Sequence, residues 1–201
     1  MVDIQTAQQI FTTHSGVLRT AEALSLGIAP RTLYTMRDKG IITEVARGIY
    51  RLADAPGLKN PDLVTVSLRY PKAVIALISA LNYHQLTTEF PHYVYIALPR
   101  GYKKPRSDYP PLEVVWLSQQ SYEAGIEIHP IDGQNVKIYD KEKTICDSFK
   151  FRNKYGEDVA IEALKVYLHQ PTPERDLPKL MHYARINRVL TIMRPYLKGI
   201  L

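Results

Sequence analysis

In the stretch PRTLYTMRDKG (30–40), the polar side chains fall on one side of a helix. At about 100° per residue, Arg31, Tyr34, Thr35 and Asp38 share a face, with Thr32 and Lys39 at its edge, while Leu33 and Met36 point the other way. A guanidinium, a phenol and a hydroxyl on an exposed helical face can donate to and accept from base edges, so Arg31, Tyr34 and Thr35 are the candidate readers of a DNA major groove. Arg37 lies nearer the apolar side and suits phosphate contact or packing. Asp38 is the odd member, because phosphates repel it; it fits a cytosine amino group or a neighbouring Arg. From Arg19 to Arg51 six basic residues (Arg19, Arg31, Arg37, Lys39, Arg47, Arg51) stand against three acidic ones (Glu22, Asp38, Glu44), a local excess of +3 that favours phosphate contact.

The surrounding elements position that face. A first helix with Ile4, Ala7, Ile10 and Phe11 at helical spacing ends at Gly16. Thr20 is read as the cap of a second helix that stops at Gly27, and Pro30 opens the third, which stops at Gly40. Ile41-Ile42 starts a strand, Arg47-Gly48 turns it, and Ile49-Tyr50-Arg51-Leu52 runs back. Short helix, tight turn, second helix and hairpin with a basic tip is the outline of a winged helix-turn-helix, which places its second helix in the major groove and its hairpin on the backbone alongside. The DNA-contact set expected on this basis is Arg19, Arg31, Thr32, Tyr34, Thr35, Arg37, Lys39, Arg47 and Arg51.

The turn-rich run ADAPGLKNPD (53–62) reads as a connection, with a domain of 1–55, a linker of 56–62 and a second domain of 63–201. In that second part Leu63–Tyr70 looks helical, and Ala73–Leu81 reads as a small buried helix. Residues 93–98, 112–117 and 126–130 read as strands, and Asp132-Gly133 as a hairpin turn returning through 136–139. From Lys141 onward the period is helical. The fold class expected is α+β: a winged helix-turn-helix followed by a mixed domain with a small sheet flanked by helices.

No catalytic pattern emerges. A metal-dependent nuclease needs an Asp with a D/E-x-K unit, and no Asp or Glu here has Lys two positions on. A nucleotidyltransferase would show Gly-Ser followed by Asp-x-Asp, which is absent. The six His residues have no zinc-type spacing with each other or with Cys146, so no metal is expected, and no phosphate-binding glycine loop points to a cofactor. His84 reads as a structural hydrogen-bonder and Cys146 as a buried inert thiol. Two further basic groups remain: Arg100, Lys103, Lys104 and Arg106 in a Gly-Pro loop, and Arg185, Arg188, Arg194 and Lys198 near the C-terminus. Each is either a solvated face or a second nucleic-acid surface.

Four blocks in order resemble one family: the winged helix ending in ARGIYRL, SALNYHQLTTEFP (79–91), VYIALP (94–99) and IDGQNVKIYDKEKTICDSFKFRNKYGEDVAIEALK (131–165). Together they are similar to the AbiEi-type antitoxins of bacterial abortive-infection toxin–antitoxin operons. Family members carry an Arg-Thr pair before the Asp of the same helix. This chain has Lys143-Thr144 with Asp147, which keeps the charge without the planar fork. The resemblance implies a repressor that binds inverted repeats in its operon's double-stranded DNA. It also implies a C-terminal domain that counteracts a nucleotidyltransferase-like toxin without a stable complex. From the residues alone, Asp147 is expected to tie its helix to a neighbouring strand or loop, with Lys143 in the same structural role. A stand-alone winged-helix transcription factor with a ligand- or partner-sensing second domain is the alternative.

Bulk properties fit either reading. The 201 residues carry a formal net charge of +6 and can bury a core without staples. A single cysteine excludes an internal disulfide and suits a reducing compartment. No apolar run approaches the roughly 20 residues needed to span a bilayer, and no signal peptide is visible, so a cytoplasmic protein without membrane contact is expected. With no dimerisation coiled coil in view, a monomer or weak dimer that pairs on half-sites is expected.

Overall fold

The computed structural model describes residues 2–200, with side chains described to Lys198. The protein is α+β and divides into two compact units. The first runs to Pro71 and takes in His129–Val136 from later in the chain; the second holds Lys72–Ile128 and the residues from Lys137 onward.

The first unit contains α1 (Ile4–Thr13), β1 (Val17–Arg19), α2 (Thr20–Ser25), α3 (Pro30–Asp38), β2 (Ile42–Ala46), β3 (Ile49–Leu52) and α4 (Pro61–Arg69). Its three strands are antiparallel in the order β1-β3-β2. This is a winged helix-turn-helix. Asp3 caps α1 by accepting the Thr6 N–H at 2.7 Å, satisfying one of the amides that a helix start leaves free. Ala7, Phe11, Leu18, Ala23, Ile28, Leu33, Met36, Ile42, Tyr50 and Leu52 form one buried core. Each large side chain taken out of water there contributes about 1.5–3 kcal/mol.

Two local readings are corrected. Thr20 is not a cap: Arg19 is the N-cap residue and Thr20 is the first helical one. Both the Thr20 N–H and its hydroxyl donate to the Gly48 carbonyl, at 2.8 and 3.2 Å, so the side chain is spent on the hairpin tip. Residues 73–81 are not one helix. Val74–Ile75 form a strand, β4, and the chain then turns at Leu77, φ +46°, into α5 (Leu77–Tyr83). A short apolar run has no period by which to separate the two.

The chain continues with β5 (Val94–Pro99), β6 (Leu112–Leu117), α6 (Gln119–Glu123), β7 (Ile126–Ile131), β8 (Gln134–Tyr139), α7 (Lys141–Lys150), α8 (Arg152–Tyr155), α9 (Glu157–Leu168), α10 (Leu177–Ile186) and α11 (Leu190–Ile200), all in the second unit except the His129–Val136 part of β7 and β8. Five strands lie in the order β6-β5-β4-β8-β7, with β5–β6 and β4–β8 parallel and β4–β5 antiparallel. The apolar faces of α7, α9, α10 and α11 close on each other through Ile145, Phe149, Ala163, Leu164, Leu180 and Met193. Val115, Leu117 and Tyr139 belong to a smaller cluster with Ala97 and Tyr122.

At the tip of the β7–β8 hairpin, Asp132 and Gly133 both have positive φ (50° and 74°), the requirement of a tight type I′ turn. Within the first unit the Asp132 carboxylate accepts the N–H groups of Lys59 and Asn60 at 3.0 and 2.9 Å. Gln134 donates to the carbonyls of His14 and Val17. Among the described residues no helix is long and apolar enough to cross a membrane.

Candidate nucleic-acid interface

The third helix presents the face read from its sequence. Leu33 and Met36 are fully buried, whereas Arg31 and Tyr34 are exposed and Thr35 is half-buried. The Thr35 hydroxyl donates back to the Arg31 carbonyl at 2.8 Å, which leaves its oxygen lone pairs free to accept. Thr32 donates to the Val2 carbonyl at 3.4 Å, and Lys39 projects from the C-cap.

Arg37 and Asp38 explain each other. Arg37 donates through Nε and Nη2 to Asp38 Oδ1 at 3.1 and 2.9 Å, and its guanidinium lies 5.2 Å from the centre of the Tyr34 ring. The hydrogen bond that Arg37 donates to Asp38, then the carboxylate's charge, raises the guanidinium's pKa. The carboxylate on the face is therefore neutralised in place, and the pair steadies Tyr34 through a cation–π contact.

The hairpin tip is pinned. Gly48 accepts from Thr20 as described, and its own N–H donates to Glu44 Oε1 at 2.8 Å. Arg47 sits at that tip, exposed, beside a break in register between Glu44 and Ala46. A β-bulge of this kind re-aims the tip side chains. Among the described residues none of Arg31, Lys39 and Arg47 forms an ion pair, so three cations are presented unpartnered by α3 and the wing.

The two remaining cations of the expected set are placed differently. Arg51 turns its guanidinium onto the carbonyls of Ala55 and Pro56. Arg19 donates to the Leu68 carbonyl at 3.3 Å and lies 3.8 Å from Glu22. Both are half-buried and engaged by their own unit, whereas Arg31, Tyr34, Thr35, Lys39 and Arg47 are on or near the surface.

The second unit has a buried polar network on α7 whose extent sequence spacing did not reveal. Lys143 and Asp147 pair at 2.5 Å with side chains essentially inaccessible. Lys143 Nζ lies 4.2 Å from the Tyr139 ring centre. Asp147 Oδ1 accepts from Asn187 Nδ2 at 2.7 Å, and Asn187 Oδ1 accepts from the Ser121 hydroxyl at 2.7 Å. Asp147 thus ties α7 to its own previous turn and to the end of α10. Asp140, which caps α7, accepts from Lys143 N–H at 2.7 Å, from the Tyr183 hydroxyl at 3.0 Å and from Lys179 at 3.1 Å. Burial pushes the Asp140 carboxyl up. Burial also opposes the charge on Lys179, but Asp140 and Glu142 outweigh it and raise its pKa. His84 Nε2 donates to the Tyr139 carbonyl at 2.7 Å, and Cys146 is fully buried, its thiol pushed up by desolvation.

Of the outlying basic groups, Arg100, Lys103, Lys104 and Arg106 are exposed on the loop after β5, and Arg185, Arg188, Arg194 and Lys198 are exposed on or between α10 and α11.

Residues 5–53 match the model of a family described as a transcriptional regulator, AbiEi antitoxin, in agreement with the resemblance of the winged-helix block. No protein of curated function matches the sequence significantly. Among solved structures, the fold is similar to that of the RV2827C protein from Mycobacterium tuberculosis, with a TM-score of 0.53 and 13% identity over 96% of this chain and 80% of that one. At that identity the likeness is one of fold.

Proposed function

We propose that this chain, whose residues 5–53 match transcriptional regulators of the AbiEi antitoxin family, is a DNA-binding antitoxin that represses its own operon. In this reading residues 1–55 bind inverted repeats in double-stranded operator DNA, residues 56–62 connect, and residues 63–201 counteract a nucleotidyltransferase-like toxin without a lasting complex. The observation that carries the DNA-binding part is the division of α3. Leu33 and Met36 are sunk in the core, while Arg31 and Tyr34 are exposed and Arg47 stands unpartnered on a pinned wing.

Arg31, Tyr34 and Thr35 read base edges; Arg47 and Lys39 neutralise phosphates. Arg37 serves the site by silencing Asp38 and orienting Tyr34. Arg19 and Arg51, held by carbonyls of their own unit, set its shape. The work asked of the protein is regulatory binding, not catalysis, and the chain acts as a monomer or weak dimer that pairs on half-sites.

Fluorescence anisotropy with the full chain and the DNA upstream of its own gene tests this. Arg31→Ala is expected to cost about 1–3 kcal/mol and to relax preference at one operator position. Arg47→Ala should weaken all sequences evenly and reduce the salt slope by about one. Wild-type affinity in both variants, or no preference for the upstream DNA over an unrelated duplex, refutes the assignment. Co-expression with the neighbouring toxin gene tests the second role: growth that the chain fails to restore would remove it.

A further inference from the structure

The polar face of α3 does not end at α3. Val2, Asp3 and Ile4 from the start of α1 join Arg31, Thr32 and Thr35 around an open cavity of about 480 Å³. Thr32 ties the two walls together by donating its hydroxyl to the Val2 carbonyl at 3.4 Å. Val2 and Ile4 are half-buried, each packed by one side against the core of the unit. The Asp3 cap starts α1 at Ile4 and so fixes where that side chain stands.

The groups around the cavity restrict what can enter it. Both threonine hydroxyl protons are spent inside the protein, Thr32 on Val2 and Thr35 on the Arg31 carbonyl at 2.8 Å. Those two side chains are left with methyl groups and acceptor lone pairs. Asp3 brings a negative charge, because its Oδ1 accepts the Thr6 N–H at 2.7 Å and that bond holds the carboxyl below its usual range. A phosphate is repelled there. Arg31 is the cation of the lining, exposed and, among the described residues, without an ion pair. The cavity therefore suits an uncharged group that sets an apolar atom beside a hydrogen-bond acceptor.

One base edge in the major groove has that combination. Thymine presents its O4 acceptor next to the 5-methyl group, whereas guanine offers acceptors without a methyl, cytosine a donor, and adenine an acceptor with a donor. We infer that the cavity between α1 and α3 is a thymine-selective subsite, in which Val2, Ile4 and the threonine methyls hold the 5-methyl group while Arg31 donates to O4. The inference rests on the reading of α3 as the helix that enters the groove. To that reading it adds α1: two apolar residues outside the polar face of α3, Val2 and Ile4, become determinants of sequence. It also names the base for Arg31. Guanine would satisfy the guanidinium but would set a bare polar edge against the Val2–Ile4 wall.

Fluorescence anisotropy of the full chain on the duplex upstream of its gene, with each thymine replaced singly by deoxyuridine, tests the subsite, since that exchange removes the methyl group alone. One thymine in each half-site should lose about threefold to tenfold in affinity, the range expected for one buried methyl. Ile4→Ala should weaken binding to the unmodified duplex by a similar factor and no longer distinguish thymine from deoxyuridine at that position. Thermal melting checks that Ile4→Ala folds; if it does not, Thr35→Ser, which removes one methyl from the cavity wall and keeps the hydroxyl, takes its place. Specific binding in which no thymine is sensitive to loss of its methyl overturns the inference and leaves the DNA-binding assignment standing. A deoxyuridine penalty undiminished in the folded variant overturns it too, by placing the methyl contact elsewhere. No preference for the upstream duplex over an unrelated one removes both.

Discussion

Lys143→Met is expected to destabilise the second unit by about 3–5 kcal/mol, the usual cost of leaving one partner of a buried ion pair behind. The structure supports the upper part of that range. The side chains of Lys143 and Asp147 are 0% and 2% exposed, so the carboxylate cannot recover its hydration when the ammonium leaves. Asp147 keeps one partner, Asn187, and loses the other at 2.5 Å. The cation–π contact with Tyr139 goes as well. Methionine replaces the Lys stem at similar volume, so little of the loss is cavity. Set against a total stability of about 5–15 kcal/mol, the change is large, and at about 2–4 °C per kcal/mol it should lower the melting point by roughly 10 °C. Urea unfolding followed by near-ultraviolet circular dichroism measures it.

The double variant Lys143→Met, Asp147→Leu removes the stranded charge and should regain most of the loss, although the Asn187 amide is left to find water at about 1–3 kcal/mol. A coupling energy of about 2 kcal/mol or more is expected from the cycle. The single variant's deficit should also shrink as pH falls, because an unpaired buried carboxylate has a raised pKa and escapes its penalty by taking a proton. A Lys143→Met protein within about 1 kcal/mol of wild type would refute the reasoning, since that burial cannot coexist with so small a cost.

Three further outcomes follow from local geometry. Gly133→Ala drives a Cβ into the Ser15 hydroxyl at φ +74°; a loss of about 1–3 kcal/mol in thermal unfolding is expected, and Ser15→Gly should relieve the contact but not the backbone strain. Arg51→Ala should lower stability with little change in the salt slope of DNA binding, while Arg47→Ala should do the reverse, because only Arg51 is engaged by carbonyls of its own unit. Glu113 is held below the usual carboxylate range first by its hydrogen bond to Lys154 at 2.6 Å, with the Tyr155 hydroxyl at 2.7 Å acting in the same direction. A carboxyl with a depressed folded-state pKa contributes stability above its unfolded pKa and loses it as pH falls, so Glu113→Gln should flatten the decline of melting temperature between about pH 5 and pH 3.

Which parts of this could be read beforehand follows from the range of the interactions involved. The helices of the winged fold were legible because their signals are local. Leu33 and Met36 mark the buried side within one turn, Pro30 opens α3, and Gly27 and Gly40 follow the two helix ends. β1 was not legible, since three residues cannot display alternation, and Thr20 was misread because the group that takes its hydroxyl, the Gly48 carbonyl, arrives with the wing. The same distinction governs the cations. Arg19, Arg47 and Arg51 look alike as letters, and a count of charge treats them alike. The fold gives Arg19 and Arg51 carbonyl acceptors and leaves Arg47 without one. In the second unit the Ser121–Asn187–Asp147 chain likewise joins residues from separate stretches, a pairing that no local pattern announces. Net positive charge therefore says that anions are welcome somewhere on this protein. What selects the place is whether the fold has already supplied each cation with an internal acceptor, and by that criterion α3 with its wing is a surface with unfilled demand.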